Sequence, residues 1–366
     1  MTAAEIPPLV DTDFGAFTER GPWNLDLDEI TWLHNLDELR EKIRANVPEL
    51  TRRRILPPGR RVLSIMGRFA WAIGPWKVAK YRGLQGTESK QLLSRRLRLA
   101  SEALGSTYIK LAQIISSGEG VFPDELVREF RKCRDQVPSE PFATVKQIVE
   151  EELNGPLHTV FASFDPEPLA AASIAQVHRA ELLIDGELRE VVVKVQRPRI
   201  GEFVHADIAA SAWLAPFLVG RIPVSALANP PALVEVFAQS IVEELDFRLE
   251  AGNMLDVARS LKALNQDGYV VPRPHPHLVT RRVLVMERLD GFQFDDVERL
   301  RAENIDPHDI VRTGMVGFLE GAMVNGIFHG DLHGGNLFVR PDGKTCLLYT
   351  SPSPRDATLS RMPSSA

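Results

Sequence analysis

Residues 329–336 read HGDLHGGN, a run of glycines and polar groups between an apolar helical stretch (307–327) and the short β-type run LFV, 337–339. Asp331 and Asn336 stand five apart within it. Phosphoryl transfer asks a loop for two groups: a carboxylate that orients and deprotonates the attacking hydroxyl, and an amide oxygen that holds Mg²⁺ on the phosphates. The competing reading is a polar loop in which the glycines serve turning and Asp331 serves as a cap. The helix-loop-strand setting favours the catalytic reading, with Asp331 as the catalytic carboxylate and Asn336 as the metal ligand.

Upstream lies VVVKV, 191–195, with Lys194 inside an apolar strand. An ammonium there is costly unless it meets an anion, and in a nucleotide-binding lobe its partners are phosphate oxygens and a helix carboxylate. Snorkelling from an edge strand is the bland alternative. EELDFRLEAGNM, 243–254, reads as one helix carrying Glu243, Glu244, Asp246 and Glu250. Glu243 and Glu250, seven apart, are expected to share a face from which one reaches Lys194, whereas Asp246 and Glu250 are like charges four apart. A solvated acidic face is the ordinary explanation of such a cluster. LAAASIAQVHRA, 169–180, predicts a strand-turn-strand whose small residues Ala170, Ala171, Ala172 and Ser173 let backbone N–H groups approach phosphates. Lys110 and Gln113 sit three apart on one helix face in STYIKLAQIISS and by themselves read as a solvated pair.

The 366 residues are 44% hydrophobic and 25% charged with a net charge of −6, the profile of a globular protein of two or three domains rather than a nucleic-acid binder. Cys133 and Cys346 are far apart and fit neither a disulfide framework nor a structural zinc site, which implies a reducing compartment. No signal peptide and no apolar run of about 20 residues is visible. Charge is uneven: Arg52–Arg98 holds 13 basic residues against the single acid Glu88. Within that segment Val62, Ile65, Met66, Phe69, Ile73 and Trp76 follow one helix face. The face suits either a core helix capping the lobe or an anionic bilayer surface. LDLDEITWLHNLDELREKIR, 25–44, reads as an amphipathic helix, and Asp185-Gly186 between two apolar runs as a hairpin turn. YVVPRP and RRVLVMERL read as strands, and 203–263 as helix.

Taken together these residues resemble the AarF/UbiB family of atypical protein-kinase-like proteins, linked to quinone biosynthesis and lipid homeostasis. The resemblance runs from about Leu92 to Leu348. The family's Lys-x-Gly-Gln motif matches Lys110, Leu111, Ala112 and Gln113, with alanine in place of the glycine. Its Ala-rich nucleotide loop matches Ala170–Ser173, its ATP lysine Lys194, its Glu-x-Asp motif Glu244 and Asp246, and its helix-C glutamate Glu250. Its catalytic Asp and metal Asn match Asp331 and Asn336. The resemblance implies an α+β fold: a protein-kinase-like N-lobe and partial C-lobe, preceded by a helical N-terminal extension. It further implies ATP or ADP with Mg²⁺ as cofactors, ATPase activity or phosphorylation of a small or lipid-like substrate, and Lys110, Gln113, Glu244 and Asp246 as regulatory residues.

The expected organisation is an acidic segment over 1–50, a helical extension over 51–154, a nucleotide-binding core over 155–348 and a Ser/Pro-rich tail over 349–366. That tail breaks into the strand TCLL where the family continues Asp-Phe-Gly, and Tyr349, Thr350 and Ser351 cannot replace a carboxylate on a hard cation. It reads as non-native, added to a chain that lacks the family's C-terminal helices. Expected partners are a nucleotide, a lipid or quinone-precursor ligand and an anionic membrane surface through residues 52–98, with no nucleic acid. The expected location is cytoplasmic, peripheral at the inner membrane face, with the full-length protein anchored through its C-terminus. Two other readings remain open. One is a small-molecule phosphotransferase of the aminoglycoside or choline kinase type, which uses similar HGD loops. The other is a non-catalytic, nucleotide-responsive scaffold.

Overall fold

The computed structural model describes residues 16–18, 21–52, 55–118, 120–133, 138–219, 229–294, 296–325 and 337–347. The hairpin expected at Asp185-Gly186 forms, and the main sheet grows from it. Strands β2 (Ala175–Ile184) and β3 (Glu187–Gln196) pair antiparallel without a register break. Asp185 (φ 53°) and Gly186 (φ 81°) both take left-handed backbone, which matches the twist of the flanking strands. β1 (Ser163–Ala171) joins the far side of β2; β6 (Val283–Glu287) and β5 (Pro274–Val279) complete the order β1-β2-β3-β6-β5. Strand β4 is Tyr269–Val270, β7 Phe292–Gln293, β8 Leu337–Val339 and β9 Thr345–Leu347; they form a second sheet in the order β4-β9-β8-β7.

Helices precede and flank the sheets. Before β1 run α1 (Leu36–Leu50), α2 (Arg61–Tyr81), α3 (Gly86–Leu104), α4 (Ser106–Ser117), α5 (Asp124–Phe130), α6 (Phe142–Glu152) and the single turn α7 (Leu157–Val160). Between β3 and β4 come α8 (Ile200–Leu218), α9 (Pro230–Glu243) and α10 (Phe247–Ala263). Then α11 (Val297–Ala302) and α12 (Pro307–Glu320) follow, the last continuing as a π turn over Gly321–Asn325. The architecture is α+β, as the resemblance implies.

Alternation on the strands sends Val191, Val193 and Val195 of β3 and Val283 and Val285 of β6 into one core with Phe247, Met254 and Ala258 of α10. A second core binds α2 to α5 through Ala72, Trp76, Leu93, Leu97, Leu126 and Phe130. Phe17, Trp23, Ile30 and Trp32 from the acidic N-terminal segment belong to the sheet's core.

That segment also corrects a local expectation. The run 25–44 is not one helix: Leu27–Glu29 is a short 3₁₀ turn, and α1 begins only at Leu36, after Asn35 in left-handed backbone (φ 64°). The residues between are engaged by β5. Trp23 Nε1–H donates to Pro274 O (2.9 Å), Trp32 Nε1–H to His275 O (2.9 Å), and Thr31 N–H to Pro276 O (3.2 Å). These distant partners override local helix propensity. Residues 21–32 form a strap along the outer edge of β5.

Candidate functional site

Lys194 sits opposite Val177 of β2 and Leu284 of β6, on a strand paired on both sides, so it does not snorkel from an edge. Its residue is buried, and its Nζ lies 2.7 Å from both Oε1 and Oε2 of Glu250. The ammonium also stands 5.1 Å from the centroid of the Phe247 ring, a cation–π contact on the same helix. Glu250 comes from the first turn of α10, where the helix dipole favours a negative side chain.

The single helix expected over 243–254 is two. α9 ends at Glu243, and α10 starts at Phe247 with Asp246 as its N-cap. Asp246 accepts from Arg248 N–H (3.1 Å) and pairs with the Arg248 guanidinium (2.7 Å). It therefore does not oppose Glu250 as a like charge on a helix face. Glu243 and Glu250 belong to different helices, and Glu243 lies 3.8 Å from Arg44 instead. Anchors from the sheet side fix the break: Gln196 Nε2 donates to Leu245 O (3.0 Å), and Phe247 N–H donates to Arg281 O (3.1 Å).

Glu244 lies in that break with its side chain 4% exposed, 2.9 Å from the Lys110 ammonium of α4, which is itself 10% exposed. Burial pushes the Glu244 carboxyl upward, while Lys110 and then Lys194 pull it down; Glu250 adds a smaller upward push. Lys110, Glu244, Lys194 and Glu250 thus alternate basic and acidic side chains between the helical extension and the sheet. Lys110 is no solvated residue. Gln113 is half-buried, and its carbonyl accepts the Ser116 and Ser117 hydroxyls. Its side chain does not join the cluster among the described residues. Ala112 is buried in the same core as Leu93, Phe122 and Leu126, so its methyl group fills space.

Ala170 and Ala171 close β1, and Ala172 and Ser173 turn into β2. The turn is pinned: Ala172 N–H donates to Ala175 O (2.8 Å), and Arg197 Nε–H donates to Ala172 O (2.9 Å). Arg197 in turn pairs with Glu140 at 2.8 Å. Beneath the turn, buried Gln176 accepts from Glu140 N–H (2.8 Å) and reaches His178 Nε2 (2.8 Å), while His178 Nδ1 meets Asp165 O (2.9 Å). Burial lowers the His178 pKa, consistent with a neutral ring that donates to the Asp165 carbonyl and accepts from Gln176. This polar ladder went unread in the sequence. Its signal was there, since Gln176 and His178 occupy the same alternate face of a strand whose neighbours are apolar.

Asp331 and Asn336 lie outside the described residues, as does the tail 349–366. The flanks expected for that loop are present in α12 and β8. Among the described residues no group of three or more His, Cys, Asp or Glu could hold a metal ion. Tyr349, Thr350 and Ser351, which follow β9 in the sequence, carry no carboxylate for a hard cation such as Mg²⁺. A nucleotide fits better. The buried Lys194 cation, held by Glu250 and separated from Ala170 of β1 by Val177 of β2, is a donor suited to phosphate oxygens.

The chain is 41% identical over 242 residues to an uncharacterised Mycobacterium tuberculosis protein, covering 66% of this chain and 49% of the relative. An aarF domain-containing chloroplast protein kinase of Arabidopsis thaliana is 36% identical over 254 residues, 68% of this chain and 46% of that one. A UbiB protein of Shewanella piezotolerans is 33% identical over 271 residues, 73% and 49% respectively. The chain spans about half the length of the curated relatives it matches. A solved Mycobacterium tuberculosis structure, of Rv3197 with erythromycin, is 27% identical, with a TM-score of 0.43 over 64% of this chain and 57% of that one. The ABC1 atypical kinase-like domain matches residues 132–349, more than half of the chain, and the protein therefore belongs to the ABC1 atypical kinase-like family, that of the AarF and UbiB proteins.

Proposed function

We propose that this chain is the nucleotide-binding part of an atypical kinase or ATPase of the AarF/UbiB type, serving quinone biosynthesis or lipid homeostasis. The observation that carries the reading is the ion pair of Lys194 with both oxygens of Glu250, buried between a central strand and α10. In the proposed complex Lys194 meets the phosphates of ATP or ADP, and the backbone of Ala170–Ser173 lies along them. Asp331 orients the attacking hydroxyl or water. Glu250 keeps Lys194 in place, and the Lys110–Glu244 pair holds the helical extension against the site. Mg²⁺ would have Asn336 as its one protein ligand of the expected pair.

Titration calorimetry with ATP and ADP, in Mg²⁺ and in EDTA, tests the reading on the intact chain and on Lys194→Ala. The expected result is binding by the parent and a loss of tenfold or more in Lys194→Ala with its circular dichroism unchanged. A parent that binds neither nucleotide in either condition, or a Lys194→Ala variant with undiminished affinity, overturns it. Binding that is equal in EDTA and unaccompanied by ATP hydrolysis favours the scaffold reading, for which the residues at 349–351 are the supporting observation.

A further inference from the structure

We propose that α2 lays its outward face on an anionic lipid bilayer, as an interfacial helix and not a spanning one. The helix has two apolar faces, and only one is used. Val62, Ile65, Ala72 and Trp76 are buried, Trp76 Nε1–H donates to Ser89 Oγ (3.0 Å), and Arg61 pairs with Asp207 of α8. This inner side accounts for α2 as a core helix. On the other side Leu63 (69% exposed), Trp71 (52%), Val78 (51%) and Tyr81 (95%) face outward. At 100° per residue they share one sector with Gly67, Ala70 and Gly74. Side chains built at Gly67 and Gly74 would meet nothing, so the middle of this sector is open, while at its edge the Trp71 ring carries the Arg96 guanidinium of α3 (4.4 Å to the centroid). Ile55 (97%) and Leu56 (77%), just before the helix, extend the same apolar exposure.

Charge selects the occupant. α2 contains no acidic residue, and Arg60, Arg68, Lys77, Lys80 and Arg82 are all exposed along or just beyond it. Among the described residues none of Arg60, Arg68, Lys77 and Arg82 pairs with a carboxylate, although acids outnumber bases in the whole chain, 49 to 43. A second copy seated on this face would bring like charges together. Anionic headgroups would neutralise the basic flanks while the outer interface takes up Leu63, Trp71 and Val78, the arrangement of an amphipathic helix at a membrane surface. No helix among the described residues is long and apolar enough to cross a membrane. The proposal is independent of nucleotide binding, since none of these residues belongs to the Lys194 site.

The test is sedimentation of the intact chain with phosphatidylcholine vesicles, with and without roughly a third phosphatidylglycerol. Expected are binding that needs phosphatidylglycerol and falls as salt rises, a loss of about fivefold for each of Arg68→Gln and Lys77→Gln (about 1 kcal/mol per charge), and abolition by Leu63→Glu with Val78→Glu. Both glutamates fall on exposed positions, and unchanged circular dichroism verifies the fold. Tryptophan emission should shift to the blue on vesicles, and less so in Trp71→Phe. Failure to sediment with phosphatidylglycerol vesicles, or binding untouched by the glutamate pair, overturns the proposal. So does lipid-free dimerisation that the same pair abolishes, which would make a second copy the occupant.

Discussion

Replacing Lys110 by methionine tests the alternating charge set directly. The perturbation removes an ammonium whose side chain is 10% exposed from a carboxylate whose side chain is 4% exposed. Water cannot replace the lost partner, and Glu250 already pushes the Glu244 carboxyl upward. Breaking one side of such a buried pair costs about 3–5 kcal/mol, a large part of a total stability of about 5–15 kcal/mol. Removing both charges leaves nothing buried and uncompensated, so Lys110→Met with Glu244→Gln should recover most of the loss. Urea unfolding of the parent, both single variants and the double variant measures the coupling. Lowering the pH should also restore the Lys110→Met variant. A carboxyl whose folded pKa stands above its unfolded value stabilises the fold below the unfolded value and loses that contribution as pH rises through the folded one. The recovery relative to the parent should approach about 1.4 kcal/mol per pH unit on going from neutral towards pH 5. A single variant losing less than about 1 kcal/mol, or single losses that simply add in the double, would refute the pairing as a structural tie.

Other predictions follow from the same geometry. His275 Nδ1 accepts from the N–H groups of His277 and Leu278 (3.1 Å each), and burial pulls its pKa down to about 4. A depressed folded pKa means stability that is present above the unfolded value of about 6.5 and lost as pH falls towards about 4; His275→Asn, which keeps an acceptor, should flatten that part of the stability profile in urea titrations. Gly186→Ala puts a Cβ at φ 81° in the hairpin turn and should lower stability by about 1 kcal/mol without altering the far-UV spectrum. Gly252 lies against Leu36 of α1, where an added Cβ would collide with the leucine side chain. Gly252→Ala should therefore destabilise by about 1–3 kcal/mol, and adding Leu36→Ala should return part of the loss; no thermal shift in Gly252→Ala would show that α1 moves freely on α10.

Local chemistry was legible where short-range rules suffice. Asp-Gly fixed the hairpin, and an apolar strand around one lysine pointed to a carboxylate partner, found as Glu250. The charge cluster at 243–250 was harder, because a spacing of seven implies a shared face only if the helix is unbroken. The capping role of Asp246 depends on Gln196 and Arg281 fixing the bend, and those lie far away in sequence. Lys110 illustrates the same limit: three residues from Gln113 it reads as solvated, and only the packing of α4 brings it to Glu244. The N-terminal run 25–44 misled for the opposite reason, since good helix periodicity yielded to bonds with β5. The pair Asp331 and Asn336 stays a sequence reading, supported by its helical and strand flanks but lying beyond the described residues.

The strap along β5 has a consequence for how the protein is made. Its indole donors precede their carbonyl acceptors by 251 residues for Trp23 and 243 for Trp32. At about 5–20 residues per second, a nascent chain carries those two tryptophans for roughly 10–50 s before the strand they bond leaves the ribosome. During that interval they are candidates for chaperone contact. Strand β5, by contrast, finds its cover already synthesised when it emerges, so the open edge of the sheet, the place where unrelated chains would otherwise add, need never face the cell uncovered.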